Sequence, residues 1–164
     1  MTRLGRILAV VVVVVLAAAG AGAGAWLLTR DHGSGLPQIS VYSRGQTVRV
    51  DPFVYCDVVN LNDCVKAGAQ GELSVTEREP VQLSVPAAIG RAPWRLLRVY
   101  TDERNSTTTL YRPDSHLAVT IPTVDPQRGR LAGVVVQLMT LVQDQDDELH
   151  DVPHAEWSVR LAWR

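Results

Sequence analysis

Two hydrophobic patterns divide the chain. Ile7 to Leu28 is a run of 22 residues without a single charge, with Arg3 and Arg6 before it and Arg30 after it. As a helix rising ~1.5 Å per residue, such a run reaches ~33 Å, enough for a hydrocarbon core of ~30 Å. Beyond it the pattern changes to alternation. Val81, Leu83 and Val85 alternate with Gln82 and Ser84; Leu117, Val119 and Ile121 with Ala118 and Thr120; Trp157, Val159, Leu161 and Trp163 with Ser158, Arg160 and Ala162. A period of two puts one face of each segment in a core and the other in solvent, the mark of a half-buried strand.

Read this way, the chain after the linker predicts strands at Gln38–Tyr42, Thr47–Val50, Glu72–Glu77, Val81–Val85, Trp94–Thr101, Thr107–Arg112, His116–Ile121, Gly133–Val142 and Glu156–Trp163. Turn residues separate them: Arg44-Gly45, Asp51-Pro52, Glu79-Pro80, Asp102 to Ser106, Pro113-Asp114 and Asp125-Pro126. Many short strands at this spacing predict an all-β, immunoglobulin-like two-sheet sandwich behind one N-terminal transmembrane or signal helix. Trp94, Trp157 and Trp163 fall in phase with apolar neighbours and are expected in the core. Asp51 to Gly71 is the least strand-like stretch, with one helical turn expected at Val65-Lys66-Ala67.

The domain division follows: 1–30 a signal anchor or signal peptide, 31–37 a linker (Asp-His-Gly-Ser-Gly-Leu-Pro), and 38–164 the β-sandwich. Ala19-Gly20-Ala21, Ala21-Gly22-Ala23 and Ala23-Gly24-Ala25 each fit a signal-peptidase site. The apolar run nevertheless resumes with Trp26, Leu27 and Leu28, which favours an uncleaved anchor with a tryptophan at the interface. In both cases the flanking arginines place the N-terminus in the cytoplasm and the domain outside the membrane. Gly20 and Gly24 form a GxxxG, a candidate face for helix pairing.

Composition narrows the partners. The N-terminal 30 residues hold three of the 16 basic residues and no acid, which leaves the rest of the chain with 13 basic against 17 acidic side chains. A net charge of −4 argues against nucleic acid and against a polybasic membrane-surface binder. The expected partners are the membrane, through the N-terminal helix, and an envelope protein.

Cys56 and Cys64 are the two cysteines, and an even pair in an exported domain reads as a disulfide. The densest polar cluster is Asp144, Asp146, Asp147, Glu148, His150, Asp151 and His154. Its carboxylates and imidazoles are candidate metal ligands, although Pro153 interrupts the helix on which His150 and His154 would share a face. The competing reading is a solvated hairpin loop joining two strands. There is no G-x-S-x-G elbow, no H-E-x-x-H and no S-x-x-K, and Gly33-Ser34-Gly35 belongs to the linker. No cofactor is expected. His116 reads as a strand-edge residue, and Asn105-Ser106-Thr107 as a polar turn.

Val48 to Pro52, Tyr55-Cys56-Asp57, Cys64, Leu83 to Pro86, Ile89, Ala92 to Trp94 and Tyr100 carry a resemblance. Over roughly Gln38 to Trp163 the chain resembles small exported proteins of unknown function from mycobacteria and related actinobacteria. The resemblance implies a single-domain protein facing the envelope and brings no catalytic residues. The function expected from all of this is a non-catalytic binding or accessory module. The alternative is a metal-dependent binder or envelope enzyme using the acidic loop 144–154.

Overall fold

A computed structural model of the chain describes residues 35–66, 68–145 and 147–164. The apolar run, Gly20 and Gly24 lie outside the described residues, as do Ala67 and Asp146. Among the described residues, no helix is long and apolar enough to cross a membrane.

The domain is all-β and built from two sheets. The first runs β2 (Gln46–Val50), β1 (Ile39–Ser43), β6 (Val81–Ser84), β9 (Ala118–Ile121), with every neighbour antiparallel. The second runs β4 (Cys64–Val65), β3 (Val54–Cys56), β12 (Leu149–Trp163), β11 (Gly129–Gln143), β7 (Trp94–Tyr100), β8 (Thr107–Tyr111). Two further strands join it. β10 (Val124–Asp125) pairs with the start of β11, and β5 (Gly71–Val75) lies parallel to Val159–Trp163 of β12. A four-residue helix, α1 (Ala87–Gly90), links β6 to β7.

Alternation determines which side chains are buried. Ile39 and Val41 of β1, Val81 and Leu83 of β6, Leu73 and Val75 of β5, and Trp157, Val159 and Leu161 of β12 all pack into one cluster between the sheets. Trp94 and Trp157, expected in the core, are fully buried there. Trp163 packs against the cluster edge, its indole N–H donating to the Leu131 carbonyl at 3.0 Å. A fully buried Leu or Val side chain contributes roughly 1.5–3 kcal/mol, so this shared apolar layer is what holds the sheets face to face.

Two glycines are required by the backbone. The Arg44-Gly45 turn joins β1 to β2 in two residues, with φ of 53° and 74°, a left-handed pair that a glycine relieves at its second place. At Gly133 an added Cβ would stand 2.8 Å from the Val159 carbonyl oxygen, so β11 and β12 could not approach as they do.

Several expectations need correction. The cysteine segment is not strand-free: Val54–Cys56 and Cys64–Val65 form a short ribbon, so Val65 lies in a strand rather than a helical turn. Too few residues alternate there for a period to show. His116 precedes β9 instead of opening it, and Leu117 is 48% exposed. The supposed loop through His154 is mostly strand, because β12 already begins at Leu149.

Candidate functional site

The β11–β12 hairpin reaches beyond the sheet that contains it. β7 pairs with β11 only as far as Trp94 opposite Leu138, and β3 with β12 only as far as Tyr55 opposite Ala155. From Met139 to Pro153 the two long strands pair with each other alone among the described residues. The register shifts where they leave the sheet: Leu138 faces Ala155 but Met139 faces Pro153, so His154 is the extra residue of a bulge. Bulging turns His154 inward. It is 8% exposed, its Nδ1 lies 3.2 Å from the Cys56 carbonyl oxygen, and Tyr55 meets its ring edge-on. That contact makes Nδ1 the hydrogen-bearing nitrogen, since a carbonyl can only accept.

The hairpin closes at Asp144 to Glu148. The Asp144 N–H donates to the Glu148 carbonyl at 2.9 Å, and Asp147 takes a left-handed φ of 62°. This is the three-residue turn in which the last position must be left-handed, a role Asp tolerates. Both oxygens of the Asp144 carboxylate are engaged: Oδ1 accepts from the Glu148 N–H at 2.9 Å, and Oδ2 lies 2.7 Å from His150 Nε2. Gln143 donates to the Asp147 carboxylate at 3.0 Å. One ligand atom each from Asp144, Glu148 and His150 falls within 4.8 Å of the others, and all three side chains are exposed. A mixed carboxylate–imidazole set of this kind suits a divalent transition metal. His154 stands apart from this group, and Asp147 is held by Gln143 instead.

The same end carries most of the apolar surface. Ten large hydrophobic residues are exposed among those described, and eight lie there: Phe53, Val58, Val59, Val65, Leu110, Leu117, Leu141 and Leu149. Val59, in the loop closed by the Cys56–Cys64 disulfide, is 94% exposed. Asp57 shapes that loop by accepting from the N–H groups of Val59 and Asn60 at 2.7 and 3.0 Å. Pro93, Leu110, Met139, Thr140, Leu141 and Asp151 line a groove of about 560 Å³ beside the hairpin. Arg95 reaches Asp151 at 2.5 Å, which neutralises the groove's carboxylate.

Sequence reasoning placed Asp144, Glu148 and His150 in one loop and missed the groove. Its signal was length: the strand read as Gly133–Val142 is the longest of those predicted from the sequence. The chain enters at this end too, with the Trp157 indole donating to the Pro37 carbonyl at 2.8 Å.

Comparison with known proteins agrees with a single family over this domain. The "uncharacterized protein Rv0875c" of Mycobacterium tuberculosis (strain H37Rv) is 68% identical over 137 residues, covering 84% of this chain and 85% of the relative. The "uncharacterized protein Mb0899c" of Mycobacterium bovis matches to the same extent. No solved structure matches. The family model described as "Protein of unknown function (DUF2771)" matches residues 32–162, and the chain belongs to that family.

Proposed function

We propose that the protein is an exported, membrane-held envelope protein whose immunoglobulin-like sandwich acts as a binding or accessory module, with the hairpin end as its contact surface. The observation that carries this reading is the pairing of a free hairpin with clustered apolar exposure. Leu141 and Leu149 are 62% and 64% exposed on the stretch of hairpin that pairs with no third strand among the described residues. Apolar surface gathered at one end marks an interaction site more often than scattered exposure does. The charge-free run Ile7–Leu28 supports the membrane part: it precedes the domain by a short Gly-containing linker. The module would be displayed outside the membrane, N-terminus in the cytoplasm, with no reaction of its own.

The test is in-cell cross-linking, purification from native membranes and intact mass under non-reducing conditions. The expected result is one recurrent cross-linked protein and a chain mass that retains residues 1–30 with the disulfide closed. Recovery of the chain only from the soluble fraction, with no recurrent partner, would sink the reading.

A second reading rests on the convergence of Asp144, Glu148 and His150. Here the turn binds a divalent metal, and the module is metal-dependent. Binding to the native state raises the melting temperature as metal concentration rises. Zn²⁺ or Cu²⁺ should then shift the transition upward, His150→Ala should remove the shift, and an unchanged transition rejects the metal.

A further inference from the structure

Backbone bonding in the hairpin has a fixed phase. Asp144 donates to Glu148 across the turn, so this is a hydrogen-bonded pair, and such pairs alternate with non-bonded ones along an antiparallel ladder. Val142 opposite His150 and Thr140 opposite Val152 are therefore bonded pairs, while Gln143, Leu141 and Met139 are not bonded to β12. The N–H and C=O groups of Met139, Leu141 and Gln143 point the other way, to the side where β7 has ended. Pro93, the residue before β7, has no N–H to offer them. No backbone group among the described residues meets them.

The two edges of the hairpin differ. On β12 the outward-facing positions are Pro153, Asp151 and Leu149, of which the proline and the charge blunt that edge against pairing. On β11 they are Met139, Leu141 and Gln143, uncharged and free of proline, beside the apolar groove that Leu110 and Pro93 complete. From Met139 to Asp151 the hairpin carries five acidic residues and no Lys or Arg.

We infer that the open edge of β11 receives an extended segment of a partner protein as an added strand. The segment would set apolar side chains at alternate positions into the groove and carry Lys or Arg at the end nearest Asp144. The backbone edge sets the extended conformation, the groove sets the alternation, and the acidic turn sets the charge. A second copy of this chain fits poorly, because its own edge from Met139 to Gln143 carries no Lys or Arg to meet the acidic turn. The inference deepens the binding-module reading and rests on it.

The experiment uses the full chain in native membranes with a photo-cross-linking amino acid at position 110, and in separate samples at positions 59 and 78. The result expected is an adduct from position 110 that maps to an alternating apolar segment ending in Lys or Arg. Leu141→Pro should lower its yield by roughly tenfold, since it removes one edge N–H and fills the edge with a ring while leaving the bonds to β12 in place. A lipid adduct, an adduct to a second copy, or a yield that Leu141→Pro leaves unchanged would overturn strand addition. An adduct from position 59 alone would overturn it while keeping the module reading, and no adduct from any position would sink both. Amide exchange on the unmodified full chain supplies a check free of any folding defect: Leu141 and Gln143 should exchange fast where Thr140 and Val142 exchange slowly. Equal protection of all four would show the edge already covered and reject the inference.

Discussion

The two ends of the sandwich are built on opposite principles. At the end holding the β7–β8 and β10–β11 turns, polar groups close on the protein itself. Asp102 accepts from the Arg104 N–H and is gripped by its guanidinium at 3.0–3.1 Å. Asp125 accepts from the N–H groups of Gln127 and Arg128 at 2.9 and 3.0 Å. The Thr123 hydroxyl donates to the Thr76 carbonyl at 2.8 Å, and Arg130 pairs with Glu77 while lying 4.8 Å over the Trp163 ring. At the hairpin end the backbone edge is open and the apolar side chains face outward. At one end the turn carboxylates are held by the protein's own donors; at the other a backbone edge is left open. An unused edge is a liability for a free protein, so its retention is informative about what the end is for.

The comparison can be broken most severely through the core that both ends share. Trp157→Ala should cost roughly 3–5 kcal/mol, because it empties a fully buried site and strips the Pro37 carbonyl of its donor. Urea unfolding measures it, and a loss below about 1 kcal/mol would mean that the sheets do not pack through this residue. Next comes the disulfide. Opening the Cys56–Cys64 loop by Cys56→Ser with Cys64→Ser should cost roughly 2–3 kcal/mol on the chain-entropy view. The change should be local: amide exchange should rise over 56–64 and stay level at the Asp102 and Asp125 turns. A smaller effect sharpens the contrast. Leu141→Thr with Leu149→Thr should alter stability by no more than about 0.5 kcal/mol, since neither side chain supports the fold. A large loss would show the hairpin to be structural. Smallest is the pH response of the closed end. The Arg104 side chain holds the Asp102 carboxyl below the usual carboxylate range, and the Gln127 N–H does the same for Asp125. A lowered value means that the contribution is complete above the ordinary carboxylate range and is lost as pH falls through the folded-state value. Acidification through those lowered values should therefore loosen these two turns, seen as chemical-shift changes at Arg104, Gln127 and Arg128. Asp102→Asn and Asp125→Asn should remove the response.

The sequence was legible wherever alternation ran for four residues or more. β1, β6, β7 and β12 show their buried face directly, and the tryptophans at 94 and 157 follow the phase. Short strands were not legible: β3, β4 and β10 contain two or three residues, too few to define a period, and exist because a neighbour supplies the ladder. The site was half legible. Asp144, Glu148 and His150 lie close in sequence, and a tight turn keeps them close in space. The groove was hidden, because Pro93 precedes β7 while Leu110 and Leu141 come from β8 and β11, and only the sheet order brings them together. His154 misled for a different reason: the bulge that buries it depends on register, which a single strand does not encode.

The position of β12 has a consequence for how the molecule comes into being. It pairs with β3, β5 and β11, all of which precede it in the chain, and its partners at Tyr55 and Gly71 are separated from it by most of the domain. None of those ladders can form until β12 has been made, so early segments must wait with their pairing groups unfilled. Long-range pairing of this kind slows folding and lengthens exposure to wrong partners. A chain made from its N-terminus can therefore complete this sheet only when β12 arrives. The disulfide loop, whose cysteines are close neighbours, can close well before that moment.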